Sequence, residues 1–138
     1  MIGLDTNILA RYYIDDSADQ EAERQRNAAR QLIESGRPLM VCKTVILELE
    51  WVMRGFYGFS EEQSLSVLQN LLSLPHVTIE DRPTVERALS FGSAGIDLAD
   101  AMHHASYKNC ATVATFDDKK FARRAKKLGL TPPLVVPS

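Results

Sequence analysis

Five short apolar runs, separated by helical patterns, constrain the fold of this chain most strongly. The runs that we predict as strands are Ile2–Leu4, Leu39–Cys42, Val77–Ile79, Thr112–Ala114 and Leu134–Val136. Short continuous apolar runs that alternate with helices are typical of a parallel sheet covered on both faces, because each connection between parallel strands carries a helix. The chain of 138 residues has no repeat and no Pro/Gly/Ser linker, so we expect an α/β protein with a single domain over residues 1–138.

Local signals place the helices between these strands. We expect Ser17 and Thr44 to cap the second and third helices, and Ser60 with Gln63 to form a capping box ahead of the fourth. Pro83 fits the first turn of the next helix. We also expect a first helix at Thr6–Tyr13 and an end of the second helix near Glu34. A later helix has the apolar face Leu98, Ala101, Met102 and Ala105. The last helix has the apolar face Phe121, Ala122, Ala125 and Leu128, and it stops at Gly129.

Four acidic residues recur near the expected strand ends. Asp5 follows the first strand directly, Asp117 lies shortly after the fourth, and Glu48 lies one turn into the helix after the second. Asp100 occupies the first turn of its own helix. The carboxyl ends of parallel strands meet at one edge of an open sheet, where such folds bind ligands, so these acids are candidates for a shared site. Glu50 is a rival of Glu48, because the two differ by about 200° around a helix and at most one faces a given site.

Four carboxylates at one edge repel each other and oppose folding unless a cation is present. Mg²⁺ and Mn²⁺ prefer oxygen ligands, and such an ion also generates a nucleophilic hydroxide and neutralises a phosphate during in-line displacement. The acids, a divalent cation and a phosphodiester therefore form one consistent hypothesis. A local structural interpretation also stays open, since Asp5 fits the cap of the first helix and Asp117 with Asp118 fits that of the last. Asp97 with Asp100 fits a cap followed by an acid that the helix dipole favours.

Four short motifs carry a resemblance to a known family. They are, in chain order, IGLDTNI at Ile2–Ile8, TVILEL at Thr44–Leu49, DLADA at Asp97–Ala101 and VATFD at Val113–Asp117. In this order they resemble the motifs of PIN-domain ribonucleases, and the second motif selects Glu48 over Glu50. The chain length and the residues around the motifs look most like VapC-type toxins of bacterial and archaeal toxin–antitoxin pairs.

The resemblance implies a three-layer α/β/α fold with a central parallel sheet and an endoribonuclease that hydrolyses RNA with metal-activated water. It implies a small antitoxin protein as partner and a homodimer. A housekeeping PIN-domain RNA-processing nuclease without an antitoxin is the alternative. The implied residues are Asp5, Glu48, Asp100 and Asp117 as catalytic ligands of Mg²⁺, which Mn²⁺ is expected to replace, and Thr6, Asn7, Asp97 and Thr115 as supporting groups, with Asp118 as a rival of Asp117.

A basic segment begins directly beside the last acid. Lys119, Lys120, Arg123 and Arg124 follow Asp117 in a chain whose formal net charge is −2. Because few other cationic surfaces are expected, these side chains are candidates to bind RNA phosphates, although a solvated helix face is the simpler alternative.

Histidine and apolar side chains supply two further hypotheses. His104 lies within about 60° of Asp97 and Asp100 on a helical wheel, which permits a general acid/base role, but a helix-surface histidine is the simpler interpretation. The aromatic turn at Phe56, Tyr57 and Phe59, followed by the leucine-rich segment from Leu65 to Leu74, is either core or a surface for a partner helix or a second protomer.

Other functional classes fit less well. A phosphatase of the related α/β type needs a second aspartate at position 7, where this chain has Asn7, and no glycine-rich phosphate loop is present. The complete set of acids argues against a non-catalytic interaction domain. The N-terminus carries an acid at position 5, and no run approaches the roughly 18 apolar residues of a membrane span, so we expect a cytoplasmic protein without a membrane segment.

Overall fold

All five predicted strands are present in the computed structural model, which describes residues 1–15, 19–92 and 94–138. Each strand lies within its predicted run, and none differs from it by more than one residue at either end. Their pairing is parallel throughout the described residues, which confirms an α/β fold. The described chain divides into two units, Met1–Arg82 and Pro83–Ser138.

The first unit is built on a three-stranded parallel sheet in the order β1-β2-β3. In its register Ile2 pairs with Leu39, and Leu39 pairs with Val77. The side chains of Leu9, Ile46 and Leu49 are completely buried and form part of its core. Its elements are β1 (Ile2–Gly3), α1 (Thr6–Tyr13), α2 (Gln20–Ile33), β2 (Leu39–Val41), α3 (Lys43–Trp51), a π-helical turn (Val52–Phe56), α4 (Glu61–Ser73) and β3 (Val77–Ile79).

The second unit contains a two-stranded parallel sheet in which Val113 pairs with Leu134. The single sheet expected from the sequence is therefore seen as two parallel ladders, one in each unit. The elements that follow β3 are α5 (Arg82–Leu89), α6 (Leu98–Ser106), β4 (Val113–Ala114), α7 (Phe121–Leu128) and β5 (Leu134–Val135). Gly129 ends α7 in the left-handed conformation, with φ of 67°, as its position after the last apolar residue predicts.

The helix starts show which local signals were sufficient. The capping box is confirmed, because the backbone N–H of Gln63 donates to Ser60 Oγ at 3.1 Å and the N–H of Ser60 donates to Gln63 Oε1 at 2.9 Å. Thr44 is not a cap, because α3 begins at Lys43 and the residue before it, Cys42, makes no side-chain capping bond. Asp19 caps α2 by accepting the N–H of Ala22 at 2.7 Å, and the predicted cap Ser17 lies outside the described residues.

No helix in the described ranges is both long enough and apolar enough to cross a bilayer.

Candidate functional site

The first acid stands where β1 passes into α1. Leu4 is buried and Asp5 is exposed, so the chain emerges from the core at the carboxylate. Asp5 Oδ1 accepts the backbone N–H of Thr6 at 2.8 Å, which confirms the capping interpretation for one carboxylate oxygen. A carboxylate has further acceptor capacity, so this capping bond leaves Asp5 able to bind a cation.

Thr6, directly after Asp5, has unused hydrogen-bonding capacity. Its side chain is 6% exposed, and its Oγ1 atom has no hydrogen-bond partner among the described residues. A buried hydroxyl without a partner carries a desolvation cost that a ligand or an ordered water normally removes. The next residue, Asn7, is exposed on the first turn of α1, where its amide is free to orient a bound group.

The structure distinguishes the two glutamates of α3. Glu50 Oε1 lies 3.3 Å from Arg54 Nη1, one turn further along the helical segment, so Glu50 has a cationic partner within the protein. Glu48 is exposed and faces a different side of the helix. Glu48 is therefore the better candidate for an external cation.

In the second unit, Asp100 is under the electrostatic influence of two other acids. Burial raises the pKa of the Asp100 carboxyl above its usual value, and the charges of Asp97 and Asp117 raise it further, whereas His103 lowers it. Asp97 occupies the N-cap position of α6, as the capping interpretation predicts, but its side chain makes no capping hydrogen bond. The three acids thus belong to one electrostatic group that disfavours full ionisation in the absence of a cation.

A hydrogen-bonded turn after β4 positions Asp117. The backbone N–H of Thr115 donates to the carbonyl of Val135 at 2.9 Å, which holds Thr115 in the β4–β5 ladder. Thr115 Oγ1 in turn accepts the N–H of Asp117 at 3.1 Å, and Asp117 Oδ1 accepts the N–H of Lys120 at 3.0 Å. Thr115 therefore orients Asp117 through the backbone, and one carboxylate oxygen of Asp117 supports the start of α7.

The acids supply suitable chemistry for a hard cation without forming a finished metal site. Within the described residues, no group of three or more His, Cys, Asp or Glu side chains is arranged to hold a metal ion. Asp97 and Asp117 act on Asp100 through their charges, and Coulomb interactions extend well beyond the distance of a metal–oxygen bond. Carboxylate oxygens are the ligands that Mg²⁺ and Mn²⁺ prefer, so the donor chemistry of these acids suits such an ion.

The basic segment is exposed, but its members have different surroundings. Lys119 and Lys120 lie in the turn before α7, and Arg123 lies on the exposed side of this helix. The guanidinium of Arg124 lies over Gly95, with Nη1 only 2.8 Å from where a Cβ on that glycine would be. Arg124 thus also packs against the loop that leads to Asp97.

The structure excludes His104 from acid/base chemistry and from the helix surface. Its side chain is 1% exposed, and its Nε2 lies 2.7 Å from the carbonyl oxygen of Pro132, so Nε2 carries the proton and donates it. Its ring also makes an edge-to-face contact with Phe121. The helix-surface interpretation was wrong, although a usable signal existed, since His104 follows the core residue Ala101 by three positions.

Sequence reasoning passed over several exposed aromatic residues, of which Phe116 and Trp51 are the most exposed. Phe116, between Thr115 and Asp117, is 80% exposed. Trp51, at the end of α3, is 69% exposed, and its indole lies against Gly55 in the π-helical turn. The residues next to Phe116 and Trp51 do not reveal whether these rings are buried or in solvent, because that depends on packing with segments distant in sequence.

Each unit has parallel strands and an exposed carboxylate just beyond a strand, Asp5 after β1 and Asp117 after β4, in an α/β protein. The sequence matches the family described as PIN domain over residues 2–127. The chain therefore belongs to the PIN-domain family, whose members are generally metal-dependent nucleases. A comparison with curated protein sequences found no match.

Proposed function

We propose that this protein is a Mg²⁺-dependent endoribonuclease that acts as the toxin of a toxin–antitoxin pair. The observation that carries the proposal is the placement of Asp117 directly after β4, where Thr115 Oγ1 accepts its backbone N–H and where its charge acts with that of Asp97 on the partly buried Asp100 as one electrostatic group. Such a group is unfavourable for an isolated protein and becomes favourable when a divalent cation binds. Its place after β4 and on α6, in a chain of the PIN-domain family, supports a nuclease site.

In this proposal Asp5, Glu48, Asp100 and Asp117 hold the cation, and the whole of residues 1–138 acts as one PIN-like domain. A bound Mg²⁺, or Mn²⁺ in its place, supplies a hydroxide nucleophile and neutralises charge on the RNA phosphate. The chain's own residues prepare the ligands, because Thr115 fixes the backbone of Asp117. The supporting groups are Thr6, Asn7, Asp97 and Thr115.

The basic side chains of Lys119, Lys120, Arg123 and Arg124 are proposed to hold phosphates of the RNA substrate. Their exposure leaves them accessible to a polyanion. Asp117 Oδ1 accepts the N–H of Lys120, so the cationic turn begins at the proposed metal ligand itself. Phosphate contacts of this kind position a nucleic acid without reading its sequence.

The proposed antitoxin surface is the aromatic turn at Phe56, Tyr57 and Phe59 together with the leucine-rich segment of α4. Phe56 is 76% exposed and makes an edge-to-face contact with Tyr57 at 4.8 Å between ring centroids. Leu68 and Leu71 are buried in the core, so the partner surface of α4 is restricted to its less buried side chains. A large exposed aromatic side chain is typical of a protein-binding site.

An inhibitor is needed because a ribonuclease free among cellular RNA damages its host. Such an enzyme and its antitoxin would both act in the cytoplasm. We further propose that the toxin is a homodimer, as the resemblance to VapC-type toxins implies. A housekeeping RNA-processing nuclease without an antitoxin is the alternative that co-purification of a partner tests.

The direct experiment is cleavage of purified structured RNA by the metal-free protein before and after addition of Mg²⁺. We expect cleavage only with the cation, and products with 5′-phosphate and 3′-hydroxyl ends, because water rather than the ribose 2′-hydroxyl is the nucleophile. Asp117→Asn is expected to abolish cleavage, whereas Asp118→Asn serves as the matched control. Products with cyclic 2′,3′-phosphate ends would contradict the mechanism.

A further inference from the structure

Phe116 holds an aromatic ring in solvent directly beside a proposed metal ligand. Its side chain is 80% exposed, whereas Phe121, five residues later, is 7% exposed and packs against His104. Exposing a phenyl ring costs hydrophobic free energy that burial in the same small unit would recover. The exposure of Phe116 therefore suggests a ligand that covers the ring.

The backbone around Phe116 is fixed on both sides. Thr115 is bonded to Val135 in the sheet, and Thr115 Oγ1 accepts the N–H of Asp117. The carbonyl of Phe116 itself accepts the N–H of Asp118 at 3.0 Å. These bonds hold the backbone from which the Phe116 ring projects, so a ligand would meet the ring at a defined point of the turn.

The charges around the turn favour a polyanion as the ligand. The segment from Phe116 to Lys127 contains six basic and two acidic residues, although the complete chain has a formal net charge of −2. Lys119 and Lys120 follow Phe116 within four positions and are exposed. An aromatic ring next to cationic side chains is the combination by which proteins bind single-stranded nucleic acid, with bases stacked on rings and phosphates paired with Lys and Arg.

We propose that Phe116 is a stacking platform for one unpaired base of the RNA substrate, next to the phosphate that Asp117 and its cation engage. This inference rests on the proposed ribonuclease function and adds a requirement to it. The nucleotide beside the cleaved bond must be single-stranded, because a base inside a duplex does not offer a free face to a side chain. Stacking depends on the π-face that every base has, so Phe116 contributes affinity rather than sequence preference.

The test compares two RNA probes of equal length and equal phosphate number. One is fluorescein-labelled oligouridylate, which has little base stacking of its own, and the other is the same chain of abasic ribose phosphates. Fluorescence anisotropy in metal-free buffer measures both affinities without cleavage. The ratio of the two affinities isolates the contribution of the bases, because the phosphate contacts are common to both probes.

We expect the wild-type chain to prefer oligouridylate by about tenfold, which is the usual effect of one base–aromatic contact. Phe116→Leu keeps an apolar side chain but removes the π-face, and the ratio should fall to about one. Phe116→Trp should restore it. Tyr107→Leu is the matched control, because Tyr107 is also an exposed aromatic residue of the second unit, at 49% exposure, and its ratio should stay at the wild-type value.

The outcomes separate this inference from the proposed function. If wild-type protein cleaves RNA with Mg²⁺ but Phe116→Leu has the wild-type ratio, the stacking role is wrong and the ribonuclease stands. If the wild-type protein neither binds the probes nor cleaves RNA, both fail. If Phe116→Leu weakens binding of a protein partner and leaves the RNA ratio unchanged, Phe116 is a protein contact instead. Equal unfolding midpoints of the variants exclude a folding defect as the cause.

Discussion

His104 Nε2 donates a hydrogen bond of 2.7 Å to the carbonyl oxygen of Pro132, and this bond ties α6 to the segment that leads into β5. Both partners are buried. The helix that carries Asp100 and the strand that holds Thr115 are thus linked through a single histidine. The two residues are 28 positions apart in sequence, so local pattern analysis does not reveal this bond.

The first prediction is that His104→Ala lowers the free energy of unfolding by about 2–4 kcal/mol, because it leaves a cavity and a buried carbonyl without its donor. Urea denaturation followed by circular dichroism measures the loss. His103→Ala is the matched control, since His103 is exposed on the same helix, and it should change stability little. Equal stability of the two variants would show that the His104–Pro132 bond is not important for the fold.

The second prediction concerns repulsion among the acids in the metal-free protein. Burial, and then the charges of Asp97 and Asp117, raise the pKa of Asp100. A carboxyl whose pKa is raised on folding stabilises the folded state below its unfolded-state pKa, and this contribution is lost as the pH rises through the folded-state pKa. At neutral pH, Asp100→Asn should therefore be as stable as the wild type or more stable.

Denaturation of both proteins in EDTA at neutral and acidic pH measures this effect. The advantage of Asp100→Asn should shrink on acidification, because protonation of Asp100 removes the same repulsion from the wild type. Added Mn²⁺ should make the wild type more stable than Asp100→Asn, because the cation binds the folded wild type. A metal-free Asp100→Asn variant that is clearly less stable at neutral pH would instead favour a structural role in the first turn of α6.

The sequence was sufficient where the governing interaction is local. The strands appear in their predicted runs, and the Ser60–Gln63 capping box forms as its spacing predicts. Threonine is a good capping residue and Thr44 is therefore the cap that local sequence predicts, but α3 begins at Lys43, whose backbone N–H donates to Glu80 Oε1 at 2.8 Å. A side chain distant in sequence thus replaced the local cap.

In the candidate site, too, local sequence predicts some features and packing between distant segments decides others. The motifs selected Glu48 over Glu50, and the ion pair of Glu50 with Arg54 gives this choice a physical reason that the motif alone did not contain. The exposure of Phe116 and the burial of His104 depend on which surfaces remain after packing. The spacing of nearby residues does not encode the exposure of Phe116, and its one signal for the burial of His104 is the position three residues after the core residue Ala101.

The third prediction is that Glu48→Gln weakens Mn²⁺ binding by at least about tenfold, because it removes a charged oxygen ligand. Glu50→Gln is its matched control on the same helix and should leave the affinity unchanged, since Glu50 already pairs with Arg54. Isothermal titration calorimetry on metal-free protein measures both. If Glu50→Gln weakened Mn²⁺ binding and Glu48→Gln did not, Glu50 would be the ligand.

The fourth prediction concerns salt dependence. Replacing Lys119, Lys120 and Arg123 together by alanine should weaken RNA binding and reduce the slope of log affinity against log salt by about one for each phosphate that the variant no longer neutralises. Arg24→Ala is the control, because Arg24 is an exposed cation of α2 that pairs with Glu21. An unchanged slope in the triple variant would identify the start of α7 as a solvated surface only.

The fifth prediction tests the toxin role. Co-expression with the product of a small neighbouring gene should yield a complex that survives purification and does not cleave RNA. Phe56→Ala combined with Tyr57→Ala should weaken this complex strongly, because an exposed aromatic pair that becomes buried on binding contributes a large share of interface energy. RNA cleavage by the same double variant without the partner shows whether the substitutions also impair the ribonuclease activity itself.

The partner should combine apolar and cationic side chains. Exposed ion pairs alone contribute little affinity, so the aromatic turn is expected to supply most of the binding free energy. An Arg or Lys of the partner would compete with the cation for Asp100 or Asp117, since clustered carboxylates bind either. Added Mn²⁺ should then weaken the complex, and Asp100→Asn should make the complex less sensitive to Mn²⁺.

If the partner still inhibits the Phe56→Ala, Tyr57→Ala variant, the partner uses another surface. If no neighbouring product binds at all, the housekeeping nuclease replaces the toxin.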